Sequence, residues 1–139
     1  MKSQMGSMAC VPDGNSHRPR LVVLIVEDEV LVRTAAALQL RGLGYTVIEA
    51  GDAAQAVAAL QSRIRIHLVF TDITMPGLLD GADLARVVLS DYPATKVVMT
   101  SGVANTAPDL EALPVLHKPY SFDELRRLVE QLIGRPGAA

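Results

Sequence analysis

Five polar residues each stand where an apolar run stops. Glu27 and Asp28 follow Leu21–Val26, Asp72 follows Leu68–Phe70, Ser101 follows Val97–Met99, and Lys118 follows Val115–Leu116. The runs are short and rich in β-branched residues, and polar residues do not alternate within them. This is the pattern of strands covered on both faces, which implies a parallel sheet between layers of helices. In an open parallel sheet the carboxyl ends of neighbouring strands lie side by side, so residues far apart in sequence share one crevice. Three acids, a hydroxyl and a lysine would meet there. The acids suit a small oxygen-seeking cation such as Mg²⁺, which takes a few carboxylates, retained water and phosphate oxygens. The lysine and hydroxyl would hold that phosphate.

The segments between these runs read as helices and turns. Glu29–Leu43 carries Val30, Thr34, Ala37, Leu38 and Arg41 at helical spacings and stops at Gly42 and Gly44. Tyr45–Ala50 returns to β character. Asp52 can then cap a helix that places Ala53, Ala56, Val57 and Leu60 on one face. Ile66–Phe70 is a further strand, and Met75-Pro76-Gly77 after it is a turn signal. Helix Ala82–Ser90 and strand Lys96–Ser101 follow.

Pro108 can open a helix within Asn105–Leu113, but Pro114 keeps it short. Ser121-Phe122-Asp123-Glu124 matches a capping box, in which hydroxyl and carboxylate each satisfy a free backbone N–H. Leu125, Leu128, Val129, Leu132 and Ile133 then recur at helical spacing up to Gly134. Five strands alternating with helices imply right-handed crossovers and an α/β fold with a five-stranded, doubly wound parallel sheet.

Composition narrows the function classes. A chain of 139 residues, half of them hydrophobic, builds one core. The net charge of −2, from 13 basic and 15 acidic residues, provides no broad field for nucleic acid or an anionic membrane. Cys10 alone cannot form an intrachain disulfide. No apolar run approaches the roughly 18 residues of a membrane span, and no secretory signal is evident, so a cytoplasmic location is expected. Residues 1–20 are expected to form a flexible tail, 21–134 the folded domain and 135–139 a short C-terminal tail.

With these motifs in place, Leu21–Gly134 resembles the receiver domain of two-component response regulators. The resemblance rests on Glu27-Asp28, Asp72, Met75-Pro76-Gly77, Asp80-Gly81, Ser101-Gly102 and Lys118-Pro119, in that order and spacing. It implies a flavodoxin-like strand order of 2-1-3-4-5 and a cis peptide bond at Lys118-Pro119. It also implies that Asp72 is the phosphoacceptor, taking phosphate from a histidine kinase or histidine phosphotransfer protein. Mg²⁺ would be held by Asp28, Glu27, Asp72 and the backbone carbonyl of Thr74. Lys118 would pair with a phosphoryl oxygen, and Ser101 would supply the switch hydroxyl. Thr100 competes for that last role, because it too ends the strand and successive side chains point oppositely.

Such a protein is a signalling module, not an enzyme, with slow self-dephosphorylation as its only catalysis. Its downstream partner would be a protein target, and a homodimer formed on phosphorylation is one form of output that the resemblance allows. Other readings are a Mg²⁺-dependent aspartyl-phosphate phosphatase, or a receiver fragment of a hybrid histidine kinase. The phosphatase chemistry commonly needs an acid two residues after the nucleophile, where this chain has Thr74.

Three departures qualify the resemblance. Glu27 is one methylene longer than the usual aspartate. Val115 stands where many receivers carry an aromatic ring. The short Gly102–Pro114 connection predicts a truncated or irregular fourth helix, and Ser101–Pro114 is expected to carry the switch by passing between mobile and ordered forms.

Overall fold

In the computed structural model, residues 20–102 and 107–137 are described. The expected N-terminal tail thus falls almost wholly outside the described residues, as does 103–106 within the expected switch connection. Strand β1 (Val22–Val26) leads to helix α1 (Val30–Gly42), β2 (Thr46–Ala50), α2 (Ala53–Gln61), β3 (Leu68–Asp72) and α3 (Gly81–Asp91). After β4 (Lys96–Ser101) come a 3-10 turn at Pro108–Leu110, β5 (Val115–His117) and α4 (Phe122–Ile133). The strands form one parallel sheet in the order 2-1-3-4-5, as the resemblance implied.

Alternation along the strands divides the core into two layers. Leu24, Val26, Val69, Val97 and Met99 face Leu60 of α2 and Leu84, Ala85 and Val88 of α3. Val23, Ile25, Phe70 and Val98 face Ala36, Ala37 and Leu40 of α1 and Leu125 and Val129 of α4. Every residue of β1 is buried, as expected of a strand covered on both sides. The predicted caps form: the Asp52 carboxylate accepts from the Gln55 N–H at 2.8 Å. Ser121 and Glu124 complete their capping box at 3.0 and 2.9 Å. Gly77 has φ 118°, the left-handed conformation that the Pro76-Gly77 corner requires.

Of the helically spaced residues named for α1, only Ala37 is buried. The helix buries Ala36, Ala37 and Leu40, while Val30 and Leu38 are exposed. The sequence VLVRTAAALQL is apolar nearly all round, so periodicity alone does not choose the inward face. Alanines let the helix sit close to the sheet, and that packing leaves the larger Leu31 and Leu38 outside. The fourth crossover is irregular, as expected, with a 3-10 turn and no α-helix among its described residues.

Candidate functional site

The first acid pair is set by the end of β1. The Glu27 N–H donates to the Ala50 carbonyl of β2 at 3.1 Å, which continues the strand pairing by one residue. Its carbonyl accepts from Arg33 Nη1 at 2.8 Å. The Glu27 side chain follows the inward alternation of Ile25 and is buried, with Oε2 accepting the Glu29 N–H at 3.1 Å. Asp28, one residue on, is exposed.

Asp72 closes β3 between β1 and β4. Its Oδ1 accepts the Thr74 N–H at 3.1 Å, and its Oδ2 accepts from Lys118 Nζ at 2.7 Å. Lys118 Nζ also lies 3.5 Å from Glu27 Oε1. The lysine is brought there by β5 pairing, since its backbone N–H donates to the Ser101 carbonyl at 2.9 Å. The Lys118-Pro119 bond is cis, as the resemblance implied.

Oxygen atoms of Glu27, Asp28 and Asp72 all lie within 4.8 Å of one another. Two carboxylates at that spacing repel by about 3 kcal/mol at an effective dielectric near 20. Lys118 offsets part of this. Burial holds the Glu27 carboxyl above its ordinary range, against the opposing pull of the Glu29 N–H and Lys118. Burial alone would lower the Lys118 pKa, but the bond to Asp72 and the charges of Asp72 and Glu27 raise it. The ammonium therefore stays charged. A donor set made only of oxygen, carrying more negative charge than one lysine balances, fits a hard divalent cation such as Mg²⁺.

Both candidate hydroxyls lie at the end of β4, and both are buried. Thr100 is the register partner of Asp72 and lines a cavity of about 10 Å³ beneath it with Phe70 and Tyr120. Ser101 sits one residue further out, opposite His117 of β5. Thr74 is exposed, and its N–H is engaged by the acid two residues before it. Of the residues expected at the crevice, Glu27, Asp28, Asp72 and Lys118 are brought together at the carboxyl ends of β1, β3 and β5, while Ser101 is placed by its buried position at the end of β4 and Thr74 by its N–H bond to Asp72.

Two positions gained their meaning only in three dimensions. Gly81 opens α3 directly against the backbone of Asp72, where a Cβ would stand 1.6 Å from the Asp72 carbonyl oxygen. Arg33 reaches from α1 to the Glu27 carbonyl. A sequence signal for Arg33 did exist: a cation in the first turn of a helix opposes the macrodipole, and such a residue commonly has a partner elsewhere.

The Response regulator receiver domain model matches residues 23–130, so the chain belongs to the receiver domain family of two-component response regulators. It is similar to the transcriptional regulatory protein PdtaR of Mycobacterium tuberculosis, 36% identical over 128 residues, which cover 88% of this chain and 61% of that protein. Sensor kinase CckA of Brucella abortus is 32% identical over 117 residues, 80% of this chain and 12% of the kinase. The chain therefore spans about three fifths of the first relative and a small part of the second. Among solved structures, response regulator TrrA of Thermotoga maritima in complex with Mg²⁺-BeF superposes with a TM-score of 0.74. It is 25% identical, with 81% of this chain and 99% of TrrA covered.

Proposed function

We propose that this chain is a phosphoryl-accepting switch in which Asp72 takes phosphate from a phosphohistidine on a histidine kinase or histidine phosphotransfer protein. The observation that carries the reading is the Asp72–Lys118 contact at 2.7 Å beside Glu27 and Asp28. In the transfer, an Asp72 carboxylate oxygen forms a bond to phosphorus as the P–N bond breaks, and the electron pair leaves with the histidine nitrogen. Glu27, Asp28, Asp72 and the Thr74 carbonyl would hold Mg²⁺, which would supply positive charge against the repulsion of an anionic donor. Lys118 moves its ammonium from the carboxylate to a phosphoryl oxygen of the product. Ser101 donates its hydroxyl to another.

The partner's approach is also supported by shape. A groove of about 610 Å³ opens beside Lys118, lined by Val32, Ala35 and Ala36 of α1 and by Pro119 and Tyr120. Leu31 and Leu38 on the same helix are exposed, which suits an apolar helix carrying the phosphohistidine. No helix among the described residues is long and apolar enough to cross a membrane.

Intact-mass measurement with acetyl phosphate and Mg²⁺ tests the assignment. Wild type should gain one phosphate and Asp72→Asn none. An adduct retained by the variant would overturn Asp72 as acceptor. Ser101→Ala and Thr100→Val, compared for adduct lifetime and beryllofluoride-induced NMR shifts, separate the two hydroxyls. The larger effect should fall on Ser101.

A further inference from the structure

Glu27 and Asp28 share the peptide that joins them, and that peptide is held from outside the site. Its Glu27 carbonyl accepts from Arg33 Nη1 at 2.8 Å, and the Glu27 N–H, which belongs to the preceding peptide, donates to the Ala50 carbonyl at 3.1 Å. Arg33 is itself clamped. Its Nε donates to Glu49 Oε1 of β2 at 3.4 Å, and Arg41 Nη1 grips the other oxygen of Glu49 at 3.0 Å. The Arg33 side chain is only 19% exposed. Space is left for it by Gly51, where a Cβ would stand 3.3 Å from Arg33 Nη1.

We infer that Arg33 is a positioning residue for the acid pair, orienting the Glu27–Asp28 peptide from β2 and thereby setting the affinity of the site for a divalent cation. The inference rests on the proposed metal-assisted phosphoacceptor reading. Arg33 is suited to this task because its donors point to a carbonyl and to Glu49, so it orders the loop without pairing with the site carboxylates. Lys118 does the opposite: it binds Asp72 directly. Glu49 balances the guanidinium charge, which would otherwise repel a cation nearby. A lysine at position 33 could reach Glu27 or Glu49 but lacks the planar fork needed to hold both.

Calorimetric titration of the full chain with Mg²⁺ alone, together with the Asp28 and Glu29 amide NMR shifts, tests this. Arg33→Ala should raise the Mg²⁺ Kd about ten-fold, the lower end of what loss of an orienting partner does to a metal site. Arg33→Lys should recover only part of that loss. Arg41→Ala, which frees one side of Glu49 without touching the loop, should stay within about two-fold of wild type, and serves as the control for general loosening of β2.

An Arg33→Ala Kd within two-fold of wild type, or equal weakening by Arg33→Ala and Arg41→Ala, would overturn the inference. Full recovery by Arg33→Lys would overturn the fork geometry. Asp28→Asn in the same titration keeps the two levels apart. If it loses Mg²⁺ binding while Arg33→Ala does not, only the role of Arg33 fails. If it binds as wild type does, the acidic site reading fails as well.

Discussion

Gly81 is the residue at which fold and chemistry are least separable. Its N–H donates to the Ile73 carbonyl at 3.0 Å, and a Cβ there would meet the Asp72 carbonyl oxygen at 1.6 Å, the Asp72 carbonyl carbon at 2.6 Å and Ile73 Cα at 2.9 Å. The obstacle is backbone, which cannot rotate aside. That same Asp72 carbonyl accepts the Thr71 hydroxyl at 3.0 Å, so the main chain at Asp72 is bounded on two sides. Gly81→Ala should therefore destabilise the protein by at least the roughly 1–3 kcal/mol of an overpacked core, and should slow the proposed phosphorylation by displacing Asp72. Gly42 provides the contrast, since a Cβ there meets nothing within 4 Å. Gly42→Ala should be neutral or stabilising by up to about 1 kcal/mol, as expected for a helical glycine. Urea denaturation of both variants, paired with the phosphate adduct rate, distinguishes backbone crowding from glycine loss in general.

At the scale of elements, the β4–β5 crossover has no α-helix among its described residues and yet is firmly anchored in its second half. Pro108 starts the 3-10 turn without needing a backbone N–H, and Pro114 forbids extension into a longer helix. Leu110 is 1% exposed and packs into the layer formed by α2 and α3. Next to it, Asp109 accepts from Arg86 of α3 through Nε at 2.7 Å and Nη2 at 3.2 Å. This fork ties the crossover to the helix that starts against Asp72. Leu110→Ala should cost about 2–5 kcal/mol in a denaturation experiment, the range for a buried leucine. Asp109→Ala should leave the denaturation midpoint near wild type while broadening or shifting the amide signals of Leu110–Leu113. A Leu110→Ala protein as stable as wild type would show that the turn is not anchored by burial.

Across the whole molecule, the two ends of the sheet carry different polar work. The carboxyl end gathers the charged site. At the amino end, His67 Nδ1 accepts the Val22 N–H at 3.1 Å, and the His67 N–H donates back to the Val22 carbonyl at 2.9 Å. An imidazole that accepts at Nδ1 must be unprotonated there, and burial, then the Arg65 charge, lowers its pKa below 6.5. The sign follows directly. As pH falls through 6.5 the unfolded chain takes up a proton that the folded chain refuses, so stability is lost until the lower folded pKa is passed. The slope cannot exceed about 1.4 kcal/mol per pH unit, the limit for one proton. Thermal melts of wild type and His67→Gln between pH 8 and 5 should show a smaller acid-side loss in the variant. Equal slopes would remove His67 as the cause.

Much of this architecture is local information. The β-branched runs, the Asp52 and Ser121 caps, the Pro76-Gly77 corner and the acids ending their strands are written in short stretches, because each depends on neighbours within a turn or a strand. The strand order came through family resemblance, and pairing in the sheet agrees with it. Tertiary structure alone decided which face of the nearly all-apolar α1 turns inward, which hydroxyl of β4 stands in register with Asp72, and why position 81 cannot carry a side chain. It also decided that Arg33 links Glu49 to the Glu27 carbonyl. These features share a physical reason. Each depends on the distance between elements that meet only after the sheet has formed, and a close approach of two backbones or a fork spanning two strands leaves no periodic trace in the sequence.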